Sequence, residues 1–199
     1  MASFPFTNRT VQIIEAAKGG GYAVGAYNCY NDDGVMAVIR AAEACRSPAI
    51  IQLFPWTINF QGSEFVKFVV GAAHAAKVPI AVHLDHCIEP DDIKAALGLP
   101  FDSIMIDASI RDPEENARQC RDIVKIANAK GIAIEAEMGR IEGGEDGLPT
   151  VDLNTILTRP EDARDFVKHT GVQFLAPSFG NIHGNYGLGG PEAFWKLPL

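Results

Sequence analysis

Six short apolar runs, separated by longer amphipathic stretches, set the strongest limit on how this chain can fold. The runs fall at residues 22–27, 48–53, 79–84, 101–107, 131–137 and 172–177. Most are rich in Ile, Val, Ala or Phe, and several are apolar on both faces, as strands buried in a parallel sheet should be. Helical spacing appears at residues 8–18, ahead of the first run, and then at 33–44, 63–76, 89–97, 112–130 and 159–170. Val35, Val38, Ile39 and Ala42 share one face of the second stretch, and Phe65, Phe68, Val69 and Ala72 share one face of the third. Pro90 with Asp91 and Asp92 suits a helix start, while Gly131 and Gly171 suit helix ends. Strand, helix, strand in repetition implies right-handed parallel crossovers. An open doubly wound sheet and a closed (β/α)8 barrel both satisfy that pattern. No GxGxxG follows the first strand, and Gly19-Gly20-Gly21 precedes it, so a dinucleotide-binding sheet loses its best support.

Composition narrows the setting. The chain has 199 residues, enough for one domain with a sizeable core, and a net charge of −8. That charge argues against nucleic acid or an anionic membrane as a partner. No apolar run approaches the roughly 20 residues of a membrane span. Met1-Ala2-Ser3-Phe4-Pro5 has neither a basic n-region nor a long apolar h-region, so a cytoplasmic location is expected. Cys29, Cys45, Cys87 and Cys120 form no CxxC pair and read as reduced thiols.

Reactive side chains gather at the C-terminal ends of the apolar runs. Asn28 and Asn31 follow the first, and Asp85 and His86 follow the third, with His83 inside it. Asp107 closes the fourth, Glu135 and Glu137 the fifth, and Asn181 and His183 follow the sixth. In a parallel barrel those ends meet at one rim, which is where barrel enzymes place their active sites. Strand alternation puts His83 and Asp85 on one face and leaves His86 on the following loop, free to swing over the rim. Glu135 and Glu137 share a face, and two inward carboxylates are costly unless a cation or hydrogen bonds compensate them. His183 beside Gly184 reads as a ligand next to a site of close backbone approach. His74 and His169 lie on helices and read as structural or surface residues. The longest irregular stretch, 140–154, is rich in Gly and acid and reads as a functional loop.

At this point the sequence resembles the class II fructose-bisphosphate and tagatose-bisphosphate aldolase family. The resemblance rests on Gly25-Ala26-Tyr27-Asn28, His83-Leu84-Asp85-His86, Met105-Ile106-Asp107-Ala108-Ser109, Glu135-Ala136-Glu137-Met138-Gly139 followed by Gly143-Gly144-Glu145-Asp146-Gly147, and Asn181-Ile182-His183-Gly184. It implies an α/β fold, a (β/α)8 TIM barrel that here is incomplete, with about six of the eight βα units in one partial domain over residues 1–199. It implies a lyase of carbohydrate metabolism and glycolysis, cleaving a ketose 1,6-bisphosphate reversibly to dihydroxyacetone phosphate and glyceraldehyde 3-phosphate. His86 and His183 would bind a catalytic Zn2+, and Asp107 and Glu137 would match a second divalent or monovalent cation position. Asp85 and Glu145 would move protons, and Asn28 and Gly184 would contact the substrate. Zinc would act as a Lewis acid on the substrate's carbonyl. None of the six apolar runs contains a Schiff-base lysine.

The resemblance also sets expectations about what this chain lacks. The family places a third zinc histidine and its phosphate-binding loops after strands seven and eight. A (β/α)8 barrel takes about 250 residues, so about two units are expected to be missing, with strands one and six as open edges. Residues 192–197 read as the start of the next helix. The small-molecule partner would be a sugar phosphate, and the full-length form a homo-oligomer. The alternative is a truncated, catalytically impaired member that acts at most as a metal-binding or interaction module.

Overall fold

The computed structural model describes residues 4, 6–139, 157–186, 188 and 190. Its strands are β1 (Gly25–Asn28), β2 (Ala49–Leu53), β3 (Ile80–Cys87), β4 (Ser103–Ile106), β5 (Ala133–Met138) and β6 (Phe174–Pro177). They form one parallel sheet in chain order. The helices are α1 (Arg9–Gly20), α2 (Asp32–Cys45), α3 (Pro55–Gln61), α4 (Ser63–Ala75), α5 (Pro90–Ala96), α6 (Pro113–Ala129) and α7 (Pro160–Thr170). Strand order that never reverses belongs to a barrel, because a doubly wound sheet switches direction partway. The architecture is therefore an incomplete (β/α)8 barrel of six strands, with β1 and β6 at the sheet ends among the described residues.

Three local outcomes differ from the sequence pattern. β1 begins at Gly25 rather than residue 22, because Tyr22 N–H donates to Ala17 O behind the left-handed Gly21 (φ 67°). Tyr22 thus finishes the cap of α1 and is not free to pair. The second difference is α3, which sequence spacing did not announce. It starts with Pro55 at its first turn and ends at Gly62 (φ 84°), which separates it from α4. The third is β3, which runs on to Cys87 and holds His86 within the strand.

Two apolar layers hold the sheet. The larger lies between strands and helices and includes Ile51, Leu53, Val66, Val69, Ile104 and Ile134. The smaller lies inside the curve, where Ile13 of α1 meets Ile50 and Ala81. Asn8 fastens α1 across the N-terminal strand ends. Its Oδ1 accepts from Val11 N, capping the helix, while Nδ2 donates to Asp102 O (2.7 Å) and Gly131 O (2.9 Å). All four cysteines are unpaired, and three are buried. No described helix is long and apolar enough to cross a membrane.

Candidate active site

The C-terminal strand ends surround a cavity of about 380 Å³ whose lining includes Asn28, Gln52, Asp85, His86, Met105, Glu135, Glu137 and His183. No lysine or arginine is among its described lining residues.

A β-bulge brings Asp85 and His86 in together. Leu84 pairs with Ile104 and Cys87 with Ile106, so three steps on β3 match two on β4. The extra residue, with His86 at φ 44°, breaks the alternation that would have sent the two side chains to opposite faces. His86 is therefore not a swinging loop residue, as sequence alternation suggested. It is 8% exposed and held on two sides. Phe54 stacks on its ring at 5.9 Å and 7° between planes, and Trp56 stacks on Phe54 at 4.1 Å. In its own plane, His86 Nδ1 lies 2.9 Å from Asp107 Oδ2.

Asp107 is itself fixed. Its Oδ1 accepts from Ser109 N (3.1 Å) and Ser109 Oγ (2.7 Å). Burial would raise its pKa, but hydrogen bonds from His86 and Ser109 outweigh burial and lower it. Burial would likewise lower the pKa of His86. The hydrogen bond to Asp107 and the charges of Asp85, Asp107 and Glu137 reverse that and push it up to about 9. Glu135 is also pushed up, to about 7, first by burial and then by Asp85, with His86 opposing.

Glu137 is wholly buried, with Oε2 4.0 Å from His86 Nδ1, and Asn116 Nδ2 donates to its backbone oxygen at 2.9 Å. His86, Asp107 and Glu137 each offer one ligand atom within 4.8 Å of the others. The His183 ring stands 5.4 Å from that of His86, at 64°. Asn28 Nδ2 donates to Asp85 Oδ2 at 3.2 Å. In the loop before and after His183, Phe179 N donates to Asn181 Oδ1 and Ile182 N to Tyr186 Oη, both at 2.9 Å.

Of the residues the sequence singled out, the cavity gathers Asn28, Asp85, His86, Glu135, Glu137 and His183. Asp107 stands behind His86 rather than in the lining. Gly184, at φ 100°, is next to His183 but also outside the lining. Glu145 falls outside the described residues, as does the helix expected at 192–197. Sequence reasoning missed Gln52, Met105 and Phe54. Alternation along β2 could have found Gln52, whereas nothing local marks Phe54 as the wall of a histidine. His74 and His169 are structural, pairing with Asp102 and with Asp165 O.

The profile of class-II fructose-bisphosphate aldolase matches residues 8–197. The chain belongs to this family. Among its relatives is a Coccidioides immitis protein assigned as a fructose-bisphosphate aldolase, 49% identical over 195 residues, which are 94% of this chain and 64% of the relative. The crystal structure of a fructose-1,6-bisphosphate aldolase from Coccidioides immitis superposes with a TM-score of 0.84, at 48% identity, covering 94% of this chain and 66% of that one. The fructose-bisphosphate aldolase of Thermus caldophilus is 39% identical over 182 residues, which are 91% of this chain and 60% of the relative. The YdjI aldolase of Escherichia coli K12 matches with a TM-score of 0.74 and 32% identity, over 86% of this chain and 62% of that one. This aldolase-family chain spans less than two thirds of the length of the relatives it matches.

Proposed function

We propose that the rim cavity is a zinc-dependent site for reversible aldol cleavage of a ketose 1,6-bisphosphate to dihydroxyacetone phosphate and glyceraldehyde 3-phosphate. One observation carries the reading: His86, Asp107 and Glu137 converge within 4.8 Å beside His183. Imidazoles with buried carboxylates are a donor set suited to zinc. With Nδ1 engaged by Asp107, His86 has Nε2 left for the metal, the usual arrangement of a carboxylate-oriented ligand. His183 is its companion ligand, and Asp107 and Glu137 mark the second cation position. Bound zinc supplies Lewis-acid polarisation of the substrate carbonyl.

The chain's own groups handle the proton. Asp85, steadied by Asn28, takes the hydroxyl proton of the aldehyde half in cleavage and returns it in condensation. Glu145 serves the proton at the ketose half. Asn28 and the Gly184 backbone orient the sugar phosphate. The reading places the protein in cytoplasmic glycolysis, acting as a homo-oligomer in the full-length form.

Zinc content and fructose-1,6-bisphosphate cleavage by the purified chain, with an EDTA control, test this. EDTA-sensitive cleavage supports it. Stoichiometric metal without cleavage would favour the second reading, an impaired metal-binding member. Cleavage indifferent to EDTA would end the zinc assignment.

A further inference from the structure

Thr10, Ser103 and His83 form a buried polar line that the proposed reaction leaves without a task. Thr10 is in the first turn of α1, Ser103 opens β4, and His83 sits in mid β3. Thr10 Oγ1 lies 2.9 Å from Ser103 Oγ, which lies 2.8 Å from His83 Nδ1. All three residues are buried. At the far end, His83 Nε2 has no hydrogen-bond partner and stands 3.6 Å from Oε2 of Glu135, which lines the cavity.

The direction of this line follows from counting protons. A hydroxyl donates once. Ser103 is the one hydrogen-bond partner of the Thr10 hydroxyl among the described residues. A buried O–H without an acceptor is costly, and the reverse direction would also aim the His83 Nε2 lone pair at Glu135 Oε2, so Thr10 donates to Ser103. Ser103 then spends its own proton on His83 Nδ1. Burial, and after it the charge of His86, keeps the His83 ring neutral, with its pKa pushed down to about 3. A neutral imidazole that accepts at Nδ1 carries its proton on Nε2. That N–H faces the Glu135 carboxyl.

We propose that Thr10, Ser103 and His83 are positioning residues: the hydroxyl line from α1 fixes His83 as the Nε2–H tautomer, whose N–H orients the Glu135 side chain in the cavity. Its catalytic meaning rests on the cavity being the active site, whereas the tautomer does not.

Long-range 1H–15N spectra of the labelled chain at neutral pH read the tautomer directly, with His83 assigned by its loss in His83→Gln. The wild type should show a protonated Nε2. Thr10→Val removes the leading donor with little change of shape. It should raise the Nδ1–H share by roughly tenfold, the weight of one buried hydrogen bond, and displace the Glu135 carboxyl 13C resonance, assigned through Glu135→Gln. Thr10→Ser should restore both signals. If Thr10→Val melts, Ser103→Ala makes the same test, since Nδ1 then loses its donor. An Nδ1–H ring in the wild type, or both signals unmoved in a folded variant, overturns the proposal. None of these readings needs turnover, so a failed cleavage assay would leave them standing.

Discussion

Strand β4 has an aspartate at each end, and each meets a histidine at 2.9 Å. Asp102, before the strand, pairs with His74 Nε2, and Asp107, after it, pairs with His86 Nδ1. The two pairs are chemically alike, but their surroundings differ. Asp102 Oδ2 also accepts from Val82 N at 2.8 Å, and the His74 side chain is 35% exposed, so water reaches the pair. The rim pair is buried, with Glu137 at 4.0 Å and the charge of Asp85 acting on the same ring. A carboxylate–imidazole pair balanced by backbone and water is a fastener. The same pair buried beside two further carboxylates is the candidate cation site.

Removing each histidine is the strongest way to break that contrast. His86→Ala should weaken divalent metal binding by more than roughly a hundredfold, the upper end of what losing even an outer partner costs. Cleavage should fall with it. His74→Ala should leave metal affinity within about twofold, since it touches no group in the cavity. Calorimetric titration with zinc measures both. Tight zinc retained by His86→Ala would remove the ligand assignment.

The rim carboxylates that act on His86 should also appear as a pH dependence of the metal-free chain. His86, at about 9 folded against 6.5 unfolded, contributes stability that is complete below pH 6.5 and lost as pH rises through 9. Glu135, at about 7 against 4.5, also holds its proton more tightly when folded, so stability drops again between those values as pH rises. His83 opposes them, but with a folded value of about 3 against 6.5 its cost is felt only below pH 6.5. Between pH 6.5 and 9 the metal-free chain should therefore lose on the order of 3 kcal/mol. Urea midpoints would show the decline, and added zinc should flatten it by replacing the proton on His86. A flat metal-free profile would mean the rim acids do not act on His86.

A smaller contrast compares the aspartates. Asp107→Asn should cost about 10-fold or more in metal affinity by releasing the His86 ring. Asp102→Asn should leave that affinity unchanged. It should lower stability by about 2 kcal/mol, because a buried charged acceptor is lost to Val82 N and His74. Thermal melts and zinc titrations on both variants read the two axes separately. If Asp102→Asn moved zinc affinity as far as Asp107→Asn, the division between the two ends would fail.

Much of this contrast was legible in the sequence, and the missing part has a physical reason. Alternating periods and caps located six strands and six helices, and strand polarity put Asp85, Glu137 and His183 at one rim. The order of the sheet did not follow from parallel connections, which a doubly wound sheet also satisfies; only the family motifs pointed to a barrel. Nor were the partners legible. That Asp107 would orient His86, or Asp102 hold His74, depends on register between β3 and β4. A bulge at His86 shifts that register by one residue. Alternation alone cannot announce such an insertion, so His86 was expected on a loop. Nor does Phe54 carry a local sign that it will face an imidazole, since its role exists only once β2 and β3 lie side by side.

Asp112 makes the finest test, because it shares the rim end of β4 with Asp107 yet should behave like the opposite end. It is exposed and caps α6, accepting from Glu114 N at 3.1 Å and Glu115 N at 3.0 Å. Its charge also lies at the positive end of the helix dipole. Asp112→Ala should cost about 1 kcal/mol, the usual value of an N-cap. In a chain this size that is a fall of roughly 2–4 °C in melting temperature. Zinc affinity should stay within about twofold, since water and salt screen an exposed charge. A loss of zinc comparable to that of Asp107→Asn would show that position along the strand, rather than burial beside the other rim carboxylates, decides which acids serve the metal.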